Sequence, residues 1–391
     1  MAIMFAPFNA IFEESPPREY KRKLIKSVGS IEDATMASEI FGIPMPEVVF
    51  CEMNRTGVSL ELHQVPVKFR VRFLCDEIFS NKSPMFFALP VKNSRQTKFR
   101  VDKNSSLFFN HSCIGDTTNV ELDTCDCSYF RKNKRVLNLN SNRRGDCFGC
   151  TFCIHNYTLY DNRVLKDDRK IIDKDSLKNF LEKEIMPKNG FPDLGCLEQI
   201  AIVTGLFGQE DLAVKHIVNV RKVAEALGFR GTIFYLGCEL LSKKSFEILK
   251  DYQPISLCYS IDCFDHREEF MVHKKGKITL INIAQALGYA LNRGFEATFS
   301  YIVGLDSLES MAKNVEFFSR YVNRFPIVNI YQTQHSQQRK NMTPEATHLE
   351  YFLKARKLFE QAFAGRGLYP RNWENYRSLW YHKFNSVDLL E

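Results

Sequence analysis

Three cysteines near the middle of the chain have the spacing of metal ligands. Cys147, Cys150 and Cys153 form a C-x2-C-x2-C pattern in a loop that contains two glycines. Thiolates at this spacing can ligate three corners of one iron–sulfur cubane. A two-cluster ferredoxin would continue with x3-C-P, but that position is Tyr157 and the next cysteine is Cys196. The loop therefore supplies three ligands and leaves one iron open for a substrate or cofactor.

Two other functions remain open for the same loop. Zinc normally takes four ligands, and His155 is only two residues from Cys153, which is closer than the usual finger spacing. An iron–sulfur electron carrier or a metal-binding scaffold is the non-enzyme alternative. It requires a fourth cysteine near the cluster, and the loop has none.

Composition limits the class of protein. The 391 residues suffice for one large and one smaller domain, at about 100–200 residues per domain. Residues Met1 to Phe12 do not have the pattern of a secretory signal, and no apolar run approaches the roughly 18 residues of a membrane span. The 12 cysteines therefore predict metal chemistry in a reducing, cytoplasmic compartment, without disulfides. The net charge of +7 permits anionic partners without requiring them.

The elements that precede the cysteine loop are predicted to form an accessory domain. Residues 1–44 are a lead segment, and its basic stretch Arg18–Lys23 is typical of a solvated helix face. Residues 45–134 contain runs with a period of two, such as Lys68–Phe73, which predict a mostly antiparallel β domain with one wet face. Basic side chains on that face form either a docking surface or a charged edge that prevents aggregation. They are Lys68, Arg70, Arg72 and Arg100.

From residue 135 to about residue 365 the pattern alternates between strand and helix. The predicted strands are Val136–Asn142, Ile200–Thr204, Thr232–Leu236, Ile255–Asp262, Ala297–Val303 and Ile327–Gln332. The predicted helices include Asp175–Ile185, Asp211–Leu227, Lys243–Tyr252 and Thr279–Asn292, then one capped by Asp306 with Glu309 and a last one that starts at Thr343-Pro344. Six such units indicate an α/β fold, a partial (βα)6 TIM-like barrel, with residues 366–391 as a C-terminal extension.

The barrel places the candidate loops together. Chemistry in such barrels occurs at the C-terminal ends of the strands. The cysteine loop follows the first strand, and the glycine-containing loop 205–210 follows the second. Both are therefore expected on the same face.

These features resemble the radical SAM superfamily, iron–sulfur enzymes that split S-adenosylmethionine. The resemblance covers about residues 135 to 340 and rests on the cysteine loop, the Gly205–Glu210 loop and Tyr301–Leu305. The stretch Ile302–Asp306 is similar to the biotin-synthase-like branch. The usual family spacing is C-x3-C-x2-C with an aromatic residue after the last cysteine, whereas here one spacer is missing and Ile154 follows.

The resemblance implies a role for each motif. Cys147, Cys150 and Cys153 would hold a 4Fe–4S cluster whose free iron chelates the amino and carboxylate groups of S-adenosylmethionine. The cofactor-binding residues would be Gly208, Gln209 and Glu210 for the methionine amino group, Ser260 and Asp262 for the ribose, and the backbone from Ile302 to Gly304 for the adenine. An electron from a donor such as flavodoxin or ferredoxin would then generate a 5′-deoxyadenosyl radical that abstracts hydrogen from the substrate.

Two further sets of residues are candidates. His111, Cys113, Cys125 and Cys127 form H-x-C-x11-C-x-C, which is either a second metal centre, an auxiliary iron–sulfur cluster or zinc, or a group of buried reduced cysteines. The candidate substrate contacts are Arg267 at the mouth and Tyr331, Gln332 and His335 at the end of the sixth strand.

The leading hypothesis is a radical SAM enzyme that acts on a small metabolite in biosynthesis. Short loops after the fifth and sixth strands favour a modest cavity. The alternative substrate is a peptide, a protein or an RNA that the β domain recruits, and salt-dependent binding would favour it.

Overall fold

The chain folds around two β-sheets. The computed structural model describes residues 24–60, 67–73, 85–92, 97–122, 128–142, 150–153, 170–271, 274–333, 336–371, 373–375 and 377–389. No helix in these ranges combines the length and the apolar character that crossing a membrane requires.

Two helices precede the first sheet. Helix α1 (Ile31–Phe41) begins where the Ser30 side chain accepts a hydrogen bond from Asp33 N at 3.2 Å, and it ends at Gly42, whose φ of 57° is left-handed. Helix α2 (Met45–Thr56) has a proline in its first turn, where the missing N–H costs no hydrogen bond.

The first sheet is mostly antiparallel, as predicted from the alternating pattern. Its strands are β1 (Ser59–Leu60), β2 (Val67–Phe73), β3 (Met85–Leu89), β4 (Phe99–Val101), β5 (Ser106–Phe109) and β6 (Ser112–Leu122). They are arranged in the order β1-β4-β5-β6-β2-β3, and only β1 with β4 is a parallel pair.

One of the four basic residues expected on the wet face is placed differently. Arg72 and Arg100 are exposed and Arg70 is half-buried, but Lys68 is buried. The ammonium of Lys68 lies 4.9 Å from the ring centroid of Tyr129, so the start of β7 covers this end of β2. The expectation of an outward Lys68 is therefore wrong, because the alternation in a strand does not reveal what packs on its polar face.

The second sheet contains the predicted parallel strands. Its strands are β7 (Ser128–Arg131), β8 (Val136–Leu139), β9 (Gln199–Val203), β10 (Thr232–Gly237), β11 (Ile255–Asp262), β12 (Glu296–Val303) and β13 (Ile327–Ile330). Strands β8 to β13 are parallel neighbours in chain order, and β7 is an antiparallel edge strand beside β8. Right-handed crossovers put successive helices on one face of such a sheet, which curls into a partial barrel.

The predicted helices are present in the predicted order, with changes at their ends. The helices are α3 (Lys174–Phe180), α4 (Met186–Asn189), α5 (Glu210–Ala226), α6 (Lys243–Lys250), α7 (Arg267–Phe270), α8 (Lys274–Lys277), α9 (Leu280–Leu291), α10 (Leu308–Ser319) and α11 (Leu349–Ala362). The short helices α4, α7 and α8 were not predicted. A π turn, Leu181–Ile185, joins α3 to α4. A hairpin of β14 (Lys383–Phe384) and β15 (Val387–Asp388) follows α11.

Three predicted helix starts are corrected. Helix α5 begins after Gln209 rather than at Asp211, and α10 is capped by Ser307, whose side chain accepts from Ser310 N at 3.2 Å. Asp306 is instead buried and binds the β11 loop. Thr343 starts only a 3-10 turn, Pro344–Thr347, before α11 begins at Leu349.

Both sheets share one hydrophobic core. A single cluster of buried apolar side chains includes Phe69 and Phe87 from the first sheet and Leu137 and Tyr259 from the second. Helix α2 also packs on α11. The division of the chain at residue 135 remains a prediction. Strand β7 precedes that residue but pairs with β8, a strand of the second sheet.

Candidate functional site

Two of the three predicted cluster cysteines lie at the C-terminal edge of the parallel strands. Cys150 is buried and Cys153 is partly exposed, and Cys153 N donates a hydrogen bond to Cys150 O at 2.8 Å. This turn brings the ends of the described segment together. Thr151 N donates to Phe270 O at 2.8 Å, which ties the turn to α7. Cys147 lies outside the described residues.

Side chains from three strand ends surround these thiols. A small apolar cluster contains Cys150 and Cys153 with residues at or beyond the C-terminal ends of β11, β12 and β13, namely Cys263, Phe270, Met271, Ile302, Leu305 and Tyr331. Gln338 Nε2 donates to Phe152 O at 2.9 Å, and the Tyr331 hydroxyl donates to Gln338 O at 3.0 Å. The 3-10 segment Ser336–Asn341 therefore holds the cysteine turn against the barrel.

A buried ion pair lies at the same edge. The Lys275 ammonium donates to Asp262 Oδ2, and the Ser300 hydroxyl donates to Asp262 Oδ1 at 3.3 Å. Burial alone would lower the pKa of Lys275, but the Asp262 carboxylate, followed by the thiols of Cys238 and Cys150, raises it above its usual range. A cation fixed close to Cys150 favours negative charge on that sulfur, as metal ligation requires.

The inner face of the sheet is polar near this pair. Ser260 is half-buried and pairs in register with Ser300, and Thr298 pairs with Cys258. The Thr298 hydroxyl and Asn138 Nδ2 are buried without a hydrogen-bond partner within the described ranges. Buried polar groups are normally satisfied, so these atoms fit a polar ligand or ordered water inside the barrel.

The loop after β9 is held by contacts of its backbone and of one carboxylate within the chain. Gly208, with φ of 71°, accepts a hydrogen bond from Lys274 Nζ at 3.1 Å through its carbonyl. Glu210 Oε1 accepts from Leu241 N at 2.9 Å and from both the N and Oγ of Ser242 at 2.8 and 3.0 Å. That oxygen therefore secures the start of α6, and Gln209 occupies the N-cap of α5 without a side-chain capping bond.

Glu239 is a site residue that the sequence analysis missed. Its Oε1 accepts from Phe207 N at 3.0 Å, and its Oε2 accepts from the Tyr235 hydroxyl at 2.6 Å and from Cys238 N at 2.9 Å. One carboxylate thus orders the loops after β9 and β10. Its position two residues beyond a strand end was the available signal.

Gly304 has a packing role in this structure. Its N donates to the Tyr351 hydroxyl at 3.2 Å, its carbonyl accepts from Thr343 N at 3.0 Å, and its φ is 125°. A Cβ at this position would lie 2.9 Å from Tyr331 Cβ. Glycine is therefore required for the close approach of Tyr331. Ile302, in the stretch that the resemblance assigns to adenine, packs against the same cluster as Cys150.

Arg267, a predicted substrate contact, is engaged with backbone carbonyls in this structure. This guanidinium is buried and donates to the carbonyls of Ile261 and Cys263 at 2.5 and 2.9 Å, with longer bonds to Ile278 and Lys275 at 3.4 and 3.5 Å. It closes the loop that carries Lys275. A residue type alone does not distinguish a mouth arginine from one that binds backbone carbonyls.

The remaining predicted residues are only partly brought together. Tyr331 and Gln332 are both buried at the end of β13, and Gln332 Nε2 donates to Asn54 O at 3.1 Å, towards α2. His335, Cys125 and Cys127 lie outside the described residues. His111 and Cys113 are exposed on the first sheet. Within the described ranges, no three His, Cys, Asp or Glu side chains form a metal-binding group.

Comparisons with known proteins give weak matches. No family model and no curated protein sequence matches the chain. SuiB from Streptococcus suis, solved bound to S-adenosylmethionine, is 17% identical with a TM-score of 0.37, covering 53% of this chain and 42% of SuiB. SuiB bound to the precursor peptide SuiA is 18% identical with a TM-score of 0.35, covering 50% of this chain and 39% of that one.

A third match is the radical S-adenosylmethionine methyltransferase TsrM from Kitasatospora setae, solved with cobalamin and a [4Fe-4S] cluster. It is 11% identical with a TM-score of 0.32, and the match covers 48% of this chain and 35% of TsrM. The chain spans less than half of the length of each of these structures. At such low TM-scores the matches assign no activity to this protein, and they are similarities to enzymes that bind S-adenosylmethionine or an iron–sulfur cluster.

Proposed function

We propose that the protein is a radical SAM enzyme in which Cys147, Cys150 and Cys153 hold a 4Fe–4S cluster. The observation that carries the proposal is the position of the Cys150–Cys153 turn, which follows β8 and packs against Ile302 and Tyr331 at the C-terminal edge of the parallel strands. The described donors fit the cluster because both are thiols, one is partly exposed, and the Lys275 cation favours the thiolate.

When bound, the cluster and S-adenosylmethionine would supply the radical chemistry needed to remove a hydrogen atom from the substrate. The chain's own contribution is orientation and exclusion of water. Asp262 and Ser260 offer oxygens to ribose hydroxyls, and Lys275 holds the Asp262 carboxylate in place. Glu239 and Glu210 fix the loops after β9 and β10, so the backbone that borders the cofactor is ordered before it binds.

The substrate proposed first is a small metabolite, with flavodoxin or ferredoxin as the class of electron donor. The support is the space at the strand ends: β12 is separated from α10 by few residues, and Tyr331 and the Ser336–Asn341 segment after β13 fill space beside the cysteine turn. A compact mouth admits a small molecule more readily than a folded one.

A peptide, protein or RNA substrate is the second candidate, because the first sheet presents basic side chains at its surface. Arg72 and Arg100 are exposed, and Arg100 lies 4.5 Å from the ring centroid of Phe108. Binding to a macromolecule through this face would weaken as salt rises and on Arg100→Gln. Salt-independent binding of a small substrate would exclude it.

The proposal is tested on anaerobically purified protein. We expect iron and sulfide close to a 4Fe–4S content, an electron paramagnetic resonance signal on reduction that changes when S-adenosylmethionine is added, and release of 5′-deoxyadenosine. Cys150→Ala removes one thiol from the turn, so we expect loss of the signal and of at least about 99% of the product.

The matched control is Cys196→Ala. Cys196 is exposed and precedes β9, at the opposite end of the strands from the cysteine turn. Its loss leaves cluster content and product unchanged. A Cys150→Ala protein with the wild-type signal and product would overturn the proposal.

A further inference from the structure

Three side chains pack together on the inner face of the parallel sheet. Ala201, Phe234 and Cys258, from β9, β10 and β11, form a buried cluster, the floor patch, that is separate from the main core. Residues paired in register share a face, and successive residues of a strand alternate between faces. Ala201 pairs with Phe234, whereas their neighbours Ile202 and Tyr235 belong to the main core under the helices. The floor patch therefore faces the inside of the barrel.

The inner face is partly open to solvent beyond the floor patch. Val203, Leu236 and Ser260 are each partly exposed, although the outward-facing neighbours Tyr235 and Tyr259 are buried. Each of the three follows a member of the floor patch by two positions, so it faces the same side and lies nearer the C-terminal edge of the sheet. Space therefore opens between the floor patch and the edge where the cysteine turn lies.

Three buried polar atoms border the floor patch, and none has a hydrogen-bond partner in the part of the chain that the structure describes. They are Asn138 Nδ2, Thr298 Oγ1 and Arg324 Nε, on residues that are 3%, 0% and 3% exposed. Asn138 pairs in register with Ala201, and Thr298 pairs with Cys258, so both side chains point inwards. Buried polar groups are normally satisfied, and a few such groups around an apolar patch are typical of a binding site for a small molecule.

The charge of Arg324 is already neutralised. Its guanidinium carbon lies 4.7 Å from the ring centroid of Phe234, and its Nη1 donates to Ser256 Oγ at 2.7 Å. The same Nη1 lies 2.6 Å from Glu296 Oε2, and Nη2 forms an ion pair with the buried Glu374. An anion bound at Nε would be repelled by these two carboxylates, whereas a neutral acceptor would not.

The chemistry of the three atoms defines the ligand. Asn138 Nδ2 and Arg324 Nε can only donate a hydrogen bond, and the Thr298 hydroxyl can donate or accept one. Their shared complement is a carbonyl oxygen. In the strand order, Thr298 on β12 and Asn138 on β8 lie on either side of the three strands that carry the floor patch. A ligand with an apolar body and two carbonyl groups can therefore bond to both sides.

We propose that the floor patch, together with Asn138, Thr298 and Arg324 Nε, binds an uncharged, carbonyl-bearing part of the substrate. Thr298 precedes Ser300 by two residues on the same face of β12, which is about 7 Å along the strand. The ligand is thus held deeper in the barrel than the ion pair of Asp262, to which Ser300 donates. The assignment of this ligand to the substrate rests on the proposed function, whereas the binding site itself does not.

The test is binding of two probes, glutarimide and glutarate, to the full-length, anaerobically purified protein by saturation-transfer NMR. The probes share a five-carbon skeleton, but glutarimide is a neutral ring with two carbonyl groups and glutarate carries two carboxylates. We expect glutarimide to bind and glutarate to bind at least about tenfold more weakly, because its carboxylates would face Glu296 and Glu374.

Two substitutions remove the unpartnered polar groups with little change in side-chain size. We expect Thr298→Val and Asn138→Leu each to weaken glutarimide binding by about tenfold or more. Thr298→Ser keeps the hydroxyl and retains binding. The melting temperature without probe is a second readout, since Thr298→Val loses no hydrogen bond within the protein and should melt no lower than wild type.

Thr117→Val is the matched control. Thr117 is a buried threonine of the first sheet whose hydroxyl donates to Ser105 O at 2.9 Å, so the substitution should lower the melting temperature and leave glutarimide binding unchanged. The inference is overturned if wild type does not bind glutarimide or binds glutarate as tightly. It is also overturned if Thr298→Val matches Thr117→Val in glutarimide binding or in the fall of the melting temperature.

This inference and the proposed function can fail separately. Release of 5′-deoxyadenosine by a protein that does not bind glutarimide defeats the inference alone. Glutarimide binding that depends on Thr298, by a protein that holds no iron–sulfur cluster, supports the binding site and defeats the proposed function alone.

Discussion

His216 shows how one buried side chain supports the start of the cysteine loop. The ring lies on α5, with Nε2 at 2.6 Å from the Ser141 hydroxyl and Nδ1 at 3.4 Å from Ile172 O. Ser141 precedes the cysteine segment, and Asn142 N next to it donates to Thr204 Oγ1 at 2.6 Å. Burial lowers the pKa of His216 to about 4, against a weaker opposing effect of the Ile172 carbonyl. The ring is therefore neutral at pH 7.

His216 should make the protein sensitive to acid. Its pKa is lower in the folded than in the unfolded chain, so its contribution is complete above about pH 6.5 and is lost as the pH falls towards 4. Between pH 7 and pH 5 we expect the titration of His216 to lower the unfolding free energy by about 2 kcal/mol. Denaturant unfolding of wild type and His216→Gln at pH 7 and at pH 5 measures the loss of unfolding free energy. The variant has no histidine to protonate, so its loss should be smaller than that of wild type. Equal losses would contradict the assignment.

At the scale of single residues, sequence patterns selected the candidate site residues better than the side chains that support them. The spacing of Cys150 and Cys153 was informative because metal ligation constrains neighbours in the chain. Asp262 was also recognised, by its position at a strand end. Its partner Lys275, and the orphaned Thr298 and Asn138, were not, because their roles depend on contacts between segments far apart in sequence.

At the scale of elements, a buried charge network joins α2, α11 and the C-terminal hairpin. Arg356 Nε lies 2.8 Å from Glu360 Oε1, and its Nη1 lies 3.3 Å from Glu47 Oε2. The same guanidinium donates to Leu379 O and Lys383 O at 2.7 and 2.6 Å. The C-terminal segment is therefore attached to both helices through one side chain.

Replacing that arginine should cost more than a surface ion pair. Arg356→Met leaves the carboxylate of Glu47 buried without its cation and leaves Glu360 paired with Lys357 alone, which we expect to lower the unfolding free energy by about 3–5 kcal/mol. Arg320→Met, at the C-cap of α10, breaks an exposed pair with Glu316 and should cost less than about 1 kcal/mol. Unfolding titrations with guanidinium chloride measure the unfolding free energy of both variants. Similar small losses would mean that the network is not a major support.

Elements were predicted best where periodicity is strong. The predicted strand Ile255–Asp262 coincides with β11, and the order of the six parallel strands is confirmed. The predicted ends of the helices were less accurate, because a helix cap depends on backbone geometry. Gln209 precedes α5 and Ser307 precedes α10, whereas the sequence analysis placed the starts at nearby acidic residues. The break before α11 and the edge strand β7 had no periodic signal.

At the scale of the whole molecule, the two sheets are joined by packing that crosses the predicted division at residue 135. Phe87 of β3 contacts Phe50 of α2 with ring centroids 5.8 Å apart and Tyr381 of the C-terminal segment at 4.8 Å. Phe50 and Phe87 are fully buried. Because side chains from both ends of the chain complete one core, the sheets should unfold together.

We therefore expect a single cooperative unfolding transition. Hydrogen exchange of the backbone amides in β5–β6 and in β10–β11 should show the same midpoint as the denaturant concentration is raised. Phe87→Ala in the first sheet and Phe246→Ala on α6 each remove a fully buried ring, which should lower the unfolding free energy by about 3–5 kcal/mol. Each substitution should lower the midpoint of both regions, because a shared core transmits the loss. Two separate midpoints, each moved only by the substitution on its own side, would instead establish residues 45–134 as an independently folding domain.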